Sequence, residues 1–357
     1  MTCSIVRGKM RLERNKFMLY VIAIAMLFLV GNICRGQAVE NTGESGTVVE
    51  LQKGTDIVFA GVEQAKKRLT EKDEFIKSLS PFDRSARLMT DKPVSEEELL
   101  EYLAEQVQPW TDEEISRLRP VIGSVSAKIK NFKLHYPEKI LLIKTTGLEE
   151  GGAAYCRPNG IVIPQNMLIQ DFTGLEMTII HELFHIFTAN NPKLKEALYE
   201  VINFKKCNDI ELPERFREIK ITNPDGIKND HYIEVEHQNS VIQVVPILYS
   251  STPKYDVSKG GSFFYYLKFN LLVVEKAGDR WRCKRGSNNE PVLLELGEIP
   301  DYFNKIGFNT GYTFHPDETL AGNFVLLVRA AQPAKSEWVI DGMRKVLLSD
   351  TGGDSEK

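Results

Sequence analysis

Apolar residues fall at helical spacing from Ile57 to Leu79 and again from Ser95 to Ile129. In the second stretch Ser95 with Glu98, and Thr111 with Glu114, each form the Ser/Thr-x-x-Glu signature of a helix start, and Leu99, Leu100 and Leu103 supply an apolar face. This pattern predicts an N-terminal helical region over 39–135 that acts as packing support. Lys139 to Thr146 is short, apolar and bounded by turn residues, which predicts a strand. Ala153 to Cys156 and Ile161 to Pro164, joined by Arg157-Pro158-Asn159-Gly160, predict a hairpin. Further on, Pro192 to Phe204 and Pro300 to Ile306 read as helical, whereas Tyr232 to Tyr249 and Phe263 to Val274 are rich in Val, Ile, Tyr and Phe and read as β structure. Ser336 to Leu348 predicts a last helix, followed by a polar tail over 349–357. The expected class is α+β, with a β-rich insertion at about 205–300.

One apolar segment carries chemistry. Residues 178–187 read Thr-Ile-Ile-His-Glu-Leu-Phe-His-Ile-Phe. On a helix, positions four apart share a face, so His181 and His185 can direct both imidazoles at one point off the surface. That point suits a zinc ion, and Glu182 beside it suits a carboxylate that takes a proton from a zinc-bound water. Ile179, Ile180, Leu183, Phe184, Ile186 and Phe187 bury the helix nearly all round. Two imidazoles and a carboxylate buried there without partners would cost several kcal/mol, which a metal ion offsets.

A catalytic zinc generally takes three protein ligands and leaves a fourth position for water. No further His lies within a turn or two of His185. Asn191 and Pro192 stand where the motif H-E-x-x-H-x-x-G-x-x-H would continue. The candidate third ligand is Glu318, in His315-Pro316-Asp317-Glu318-Thr319-Leu320-Ala321-Gly322-Asn323-Phe324. Pro316 suits a first helical position, with Asp317 and Glu318 in the first turn where the helix dipole favours carboxylates. Leu320, Phe324 and Leu327 form an apolar stripe, and the small Ala321 and Gly322 leave room for close approach to the histidine helix. Asp317 is the rival ligand with the shorter reach, and the alternative for Glu318 is an acidic residue that decorates a helix start.

H-E-L-F-H followed at long range by E-x-x-A-x-x-F resembles the gluzincin metallopeptidases, the thermolysin-like zincins, and most of all secreted members with H-P-x-E before the third ligand. The resemblance implies a zincin-like core within 136–335, with an antiparallel edge-strand sheet and an active-site helix. It further implies zinc held by His181, His185 and Glu318, with Glu182 as general base. A peptide or protein substrate would add to the edge strand ahead of the helix. Glu318 lies 133 positions after His185, longer than the usual gluzincin spacing, so a sizeable insertion separates the two helices. An oxyanion needs an electrophile. Residues 319–357 contain no His or Tyr, so that group precedes Glu318 or is Arg329. Tyr312 and His315 are the favoured candidates, with His231 and Tyr232 behind them.

Arg7, Lys9, Arg11, Arg14 and Lys16 precede the uncharged run Phe17 to Val30, and Gly36 and Ala38 are small. This predicts a secretory signal peptide over 1–38 and a secreted or periplasmic protein, the alternative being an uncleaved N-terminal membrane anchor. Val39 to Gly46 reads as a flexible leader. Without 1–38 the chain keeps 39 Lys and Arg against 48 Asp and Glu, a surface that disfavours nucleic acid and anionic membrane. Cys156, Cys207 and Cys283 remain, enough for one internal disulfide at most. The expected function is zinc-dependent hydrolysis of peptide bonds. A zinc-stabilised binding or scaffold protein without turnover and a zinc amidase acting on a non-peptide amide are the other readings.

Overall fold

The computed structural model describes residues 46–330 and 333–349. The signal segment, most of the leader and the tail expected from the sequence lie outside them. The described residues belong to one compact unit, and none of their helices is long and apolar enough to cross a membrane.

Strand structure begins earlier than the spacing from Ile57 suggests. β1 (Val48–Gln52) and β2 (Thr55–Phe59) pair antiparallel around Gly54, whose φ of 85° suits a residue without Cβ. The region over 39–135 is therefore not helical throughout. Ile57, Val58 and Phe59 are all buried, because β2 is covered on both faces, and such a strand shows no polar alternation to separate it from a helix. The remaining helices of this region are Val62–Leu69, Glu74–Ser78, Pro81–Arg87, Glu96–Gln106 and Asp112–Ile129. Ser95 and Thr111 close both expected capping boxes.

β3 (Val107–Gln108), β4 (Lys139–Thr145), β5 (Tyr155–Arg157) and β6 (Gly160–Pro164) complete the first sheet. Its order is β1-β2-β4-β6-β5, with β3 on the end of β4. β2, β4 and β6 are parallel, and β5 runs antiparallel to β6 as the outer strand. Side chains alternate across it as the pleat requires. Ile140, Leu142, Cys156, Ile161 and Ile163 face the helices Asp112–Ile129 and Phe172–Asn190, while Leu141, Ile143, Tyr155 and Val162 face the earlier, shorter helices. Burying each Leu or Ile this way contributes roughly 1.5–3 kcal/mol, and the alternation puts Cys156 on the side of the histidine helix.

The insertion is a meander of β7 (Phe204–Lys206), β8 (His231–His237), β9 (Ser240–Ser250), β10 (Leu267–Ala277) and β11 (Arg280–Cys283), with β12 (Leu293–Leu294) also on β10. Gln238 and Asn239, with φ of 50° and 62°, make the two-residue turn between β8 and β9. Two sequence boundaries shift. The helix after Pro192 stops at Val201 so that Phe204 can pair with Ile233, and Phe263–Tyr266 is a 3-10 turn before β10 begins. Ile233, Val235, Val244, Leu271 and Val273 belong to the main core, so the insertion shares its interior with the rest of the protein.

The helix Pro316–Arg329 crosses the histidine helix with Leu320 and Ala321 fully buried and the Phe184 and Phe324 rings 5.3 Å apart. Gly322 faces elsewhere, since a Cβ there would come within 2.6 Å of Thr310 Oγ1. Glu176 clamps three helices together. It accepts from Ser124 Oγ at 2.6 Å and Arg329 Nε at 3.1 Å, and it pairs with Lys128.

Candidate metal centre

Asp171 starts the histidine helix by accepting the Gly174 N–H at 2.8 Å, and the helix ends at Asn190, before Asn191 and Pro192. Its apolar sides face the core, which leaves the polar trio along one stripe. Glu182 and His185 are buried, and His181 is partly open. Glu318 enters from the first turn of its own helix. Its Oε2 lies 3.1 Å from His181 Nε2 and 3.9 Å from His185 Nε2. Ligands about 2.0–2.1 Å from a tetrahedral zinc stand about 3.3 Å from one another, so the observed spacings bracket that value.

His185 Nε2 decides the fit. It is buried and has no hydrogen-bond partner, and its donor atom lies within 4.8 Å of those of His181 and Glu318. An orphaned imidazole nitrogen is costly. Two imidazoles and a carboxylate converging on one point are a donor set suited to zinc.

The other nitrogen of His185 explains Asp317. Asp317 Oδ2 lies 2.7 Å from His185 Nδ1, so this residue backs His185 and stands apart from the group of His181, His185 and Glu318 that could hold an ion. Tyr199 donates its hydroxyl to Asp317 Oδ1 at 3.0 Å, Thr188 donates to Oδ2 at 3.2 Å, and Lys195 Nζ stands 3.6 Å away. Burial would raise the Asp317 carboxyl, but Lys195 and His185 outweigh it and hold it well below the usual range. Burial opposes ionisation of Glu318 too, yet His181, His185 and the 2.9 Å bond from Asn223 Nδ2 bring it down to about 2.

Glu182 Oε2 lies 3.3 Å from Cys156 Sγ, across the gap to β5. Burial pushes the Glu182 carboxyl up while both histidines pull it down. The Cys156 thiol is pushed well up by burial and by Asp225 and Glu182. The ring of Tyr312 stands 5.2 Å from that of His181. Although 41% of Tyr312 is exposed, desolvation and then the Glu318 and Glu182 carboxylates push its hydroxyl up to about 12, so it keeps its proton at neutral pH.

The remaining candidates are engaged elsewhere. His315 caps its helix, Nδ1 accepting the Asp317 N–H at 3.2 Å and Nε2 facing Lys228 O at 3.4 Å. Arg329 is spent on Glu176 at the far end of the helix. His231 sits between Asp230 and Glu196, and Tyr232 packs against Trp281 at 4.2 Å. Cys156, Cys207 and Cys283 are all free thiols.

Three residues at the site were not singled out by sequence: Cys156 as a neighbour of Glu182, and Asn223 and Asp225. The last two belong to Asn223-Pro224-Asp225-Gly226, a recognisable turn sequence, but nothing in it says where the turn lands. No protein-family model, curated protein or solved structure matches this chain.

Proposed function

We propose that this chain is a secreted or periplasmic zinc-dependent peptidase built on a zincin-like core. The observation that carries the reading is the unpartnered His185 Nε2, buried and aimed at His181 and Glu318 with Glu182 alongside. His181, His185 and Glu318 would hold the ion, which when bound supplies Lewis acidity to a water and to a substrate carbonyl. Glu182 takes the proton from the attacking water and returns it to the leaving amine, its burial keeping that proton poised for transfer. Tyr312, protonated beside His181, donates to the developing oxyanion. Asp317 holds His185 in the tautomer that leaves Nε2 free to ligate.

A purely structural zinc generally recruits a fourth protein ligand and has no use for a general base. The pairing of three donors with Glu182 therefore favours turnover over a scaffold. The test is hydrolysis of an unfolded protein by wild type and Glu182→Gln at matched zinc content. Losing the base should lower the rate by roughly 10²–10⁴-fold. Equal rates both in the native chain and in a form whose β5 contact is released by Asp225→Ala would remove the enzyme reading, and a chain that takes up no zinc would remove the metal centre.

A further inference from the structure

β5 is the outer strand of its sheet, and the Cys156 side chain on the face of that strand touches Glu182. In an antiparallel pair, residues alternate between those that bond to the neighbouring strand and those whose N–H and C=O both point away. Cys156 faces Ile161, and its N–H donates outward to Asp225 Oδ1 at 3.0 Å. It is therefore the residue of this three-residue strand that offers its backbone to an added strand, and its N–H is already taken.

Asp225 sits in a tight turn. Gly226 N–H donates to Asn223 O, and Asp225 N–H to Asn223 Oδ1, both at 3.1 Å. The turn reaches from β5 to the third-ligand helix: Asn223 bonds Glu318, and Gly226 lies against the His315 ring so closely that a Cβ would come within 2.5 Å. It is held from behind as well. The Asp83 carboxylate accepts from Thr222 N–H at 3.1 Å and from Thr222 Oγ1 at 2.7 Å, and Asp83 is itself paired with buried Arg87 at 2.7 Å.

We infer that the Asn223–Gly226 turn is a built-in occupant of the substrate cleft, standing where a peptide backbone would pair with β5, so that the folded chain is latent towards extended substrates until the turn is displaced or cut. This rests on the peptidase reading above. An intramolecular occupant competes at an effective concentration fixed by its tether, whatever the substrate concentration, and it acts on the edge strand without removing a metal donor.

The test uses Asp225→Ala in the full chain, with Asp225→Ser as the second variant because its short hydroxyl keeps turn chemistry but falls short of Cys156 N–H. Binding of a labelled extended peptide is measured by anisotropy in the zinc-loaded, inactive Glu182→Gln background, and hydrolysis of an unfolded protein is measured with Glu182 intact. Release of the edge should tighten peptide binding and raise kcat/KM by at least about tenfold at unchanged zinc content. Unchanged or weaker binding, with Glu182-dependent hydrolysis already at full rate in the wild type, overturns latency and leaves the peptidase reading standing. Absence of Glu182-dependent hydrolysis in every form overturns the peptidase reading and latency with it.

Discussion

Asp317→Asn isolates the layer behind the metal centre. Asparagine keeps the volume of the side chain and one carbonyl oxygen, which can still accept from His185 Nδ1 and Thr188 Oγ1, the partners now at 2.7 and 3.2 Å. Its amide nitrogen then faces Tyr199, whose hydroxyl must turn its proton away and accept instead. The substitution removes the negative charge that orients His185 and raises the basicity of its imidazole, while sparing the packing. Removing such an outer-shell carboxylate typically weakens metal affinity 10–100-fold, about 1.4–2.7 kcal/mol. Alanine would be a poorer probe, because stranding Nδ1 and the buried Tyr199 hydroxyl would cost roughly 1–3 kcal/mol each and confuse folding with binding. The assay is zinc competition against a chromogenic chelator at neutral pH, with His185→Ala as the reference for a lost ligand. Affinity within twofold of wild type for Asp317→Asn, beside a collapse for His185→Ala, would refute the orienting role. A collapse as deep as that of His185→Ala would instead make Asp317 a ligand.

Burial lowers His315 from 6.5 to about 4, with Lys195 helping and Asp317 and Glu318 opposing. A depressed imidazole means the unfolded chain binds the proton first, so this contribution to stability is complete above about pH 6.5 and is lost as pH falls towards 4. Because the ring is only partly enclosed, wild type should lose about 1–2 kcal/mol more than His315→Gln between pH 7 and 4 in urea unfolding, and equal losses would contradict the assignment. Arg87 is fully buried between Asp83 and Glu150, with its guanidinium 4.8 Å from the Phe263 ring centre. Arg87→Met strands two carboxylates and should cost about 3–5 kcal/mol in urea unfolding; a loss under about 1 kcal/mol would show that the network carries little stability.

What the sequence reveals about this site follows the range of the interactions involved. His181, Glu182 and His185 are legible because an i, i+4 pair is a property of one helix, and burial confirms the apolar surround that the sequence predicts. Glu318 is legible by its helix-start signals, and its approach to both histidines required two helices to cross at Ala321 and Phe324. The sequence preferred Glu318 to Asp317 on reach alone, and these are adjacent residues that one helical step of about 100° turns in different directions. That phase turns Glu318 towards Nε2 of both histidines and Asp317 towards His185 Nδ1, so both are used. β2 was hidden by burial on both faces, since a strand without a wet side has no alternation to read. The turn at Asp225 was hidden for a different reason: its anchor is Asp83, 139 positions earlier in the chain as counted from Thr222. A local code can therefore specify the His181 and His185 pair, whereas the turn beside it is held by a long-range contact. On the latency proposed above, substitutions at Asp83 should loosen the turn and tighten binding of an extended peptide without touching His181, His185 or Glu318, and unchanged peptide binding would count against it.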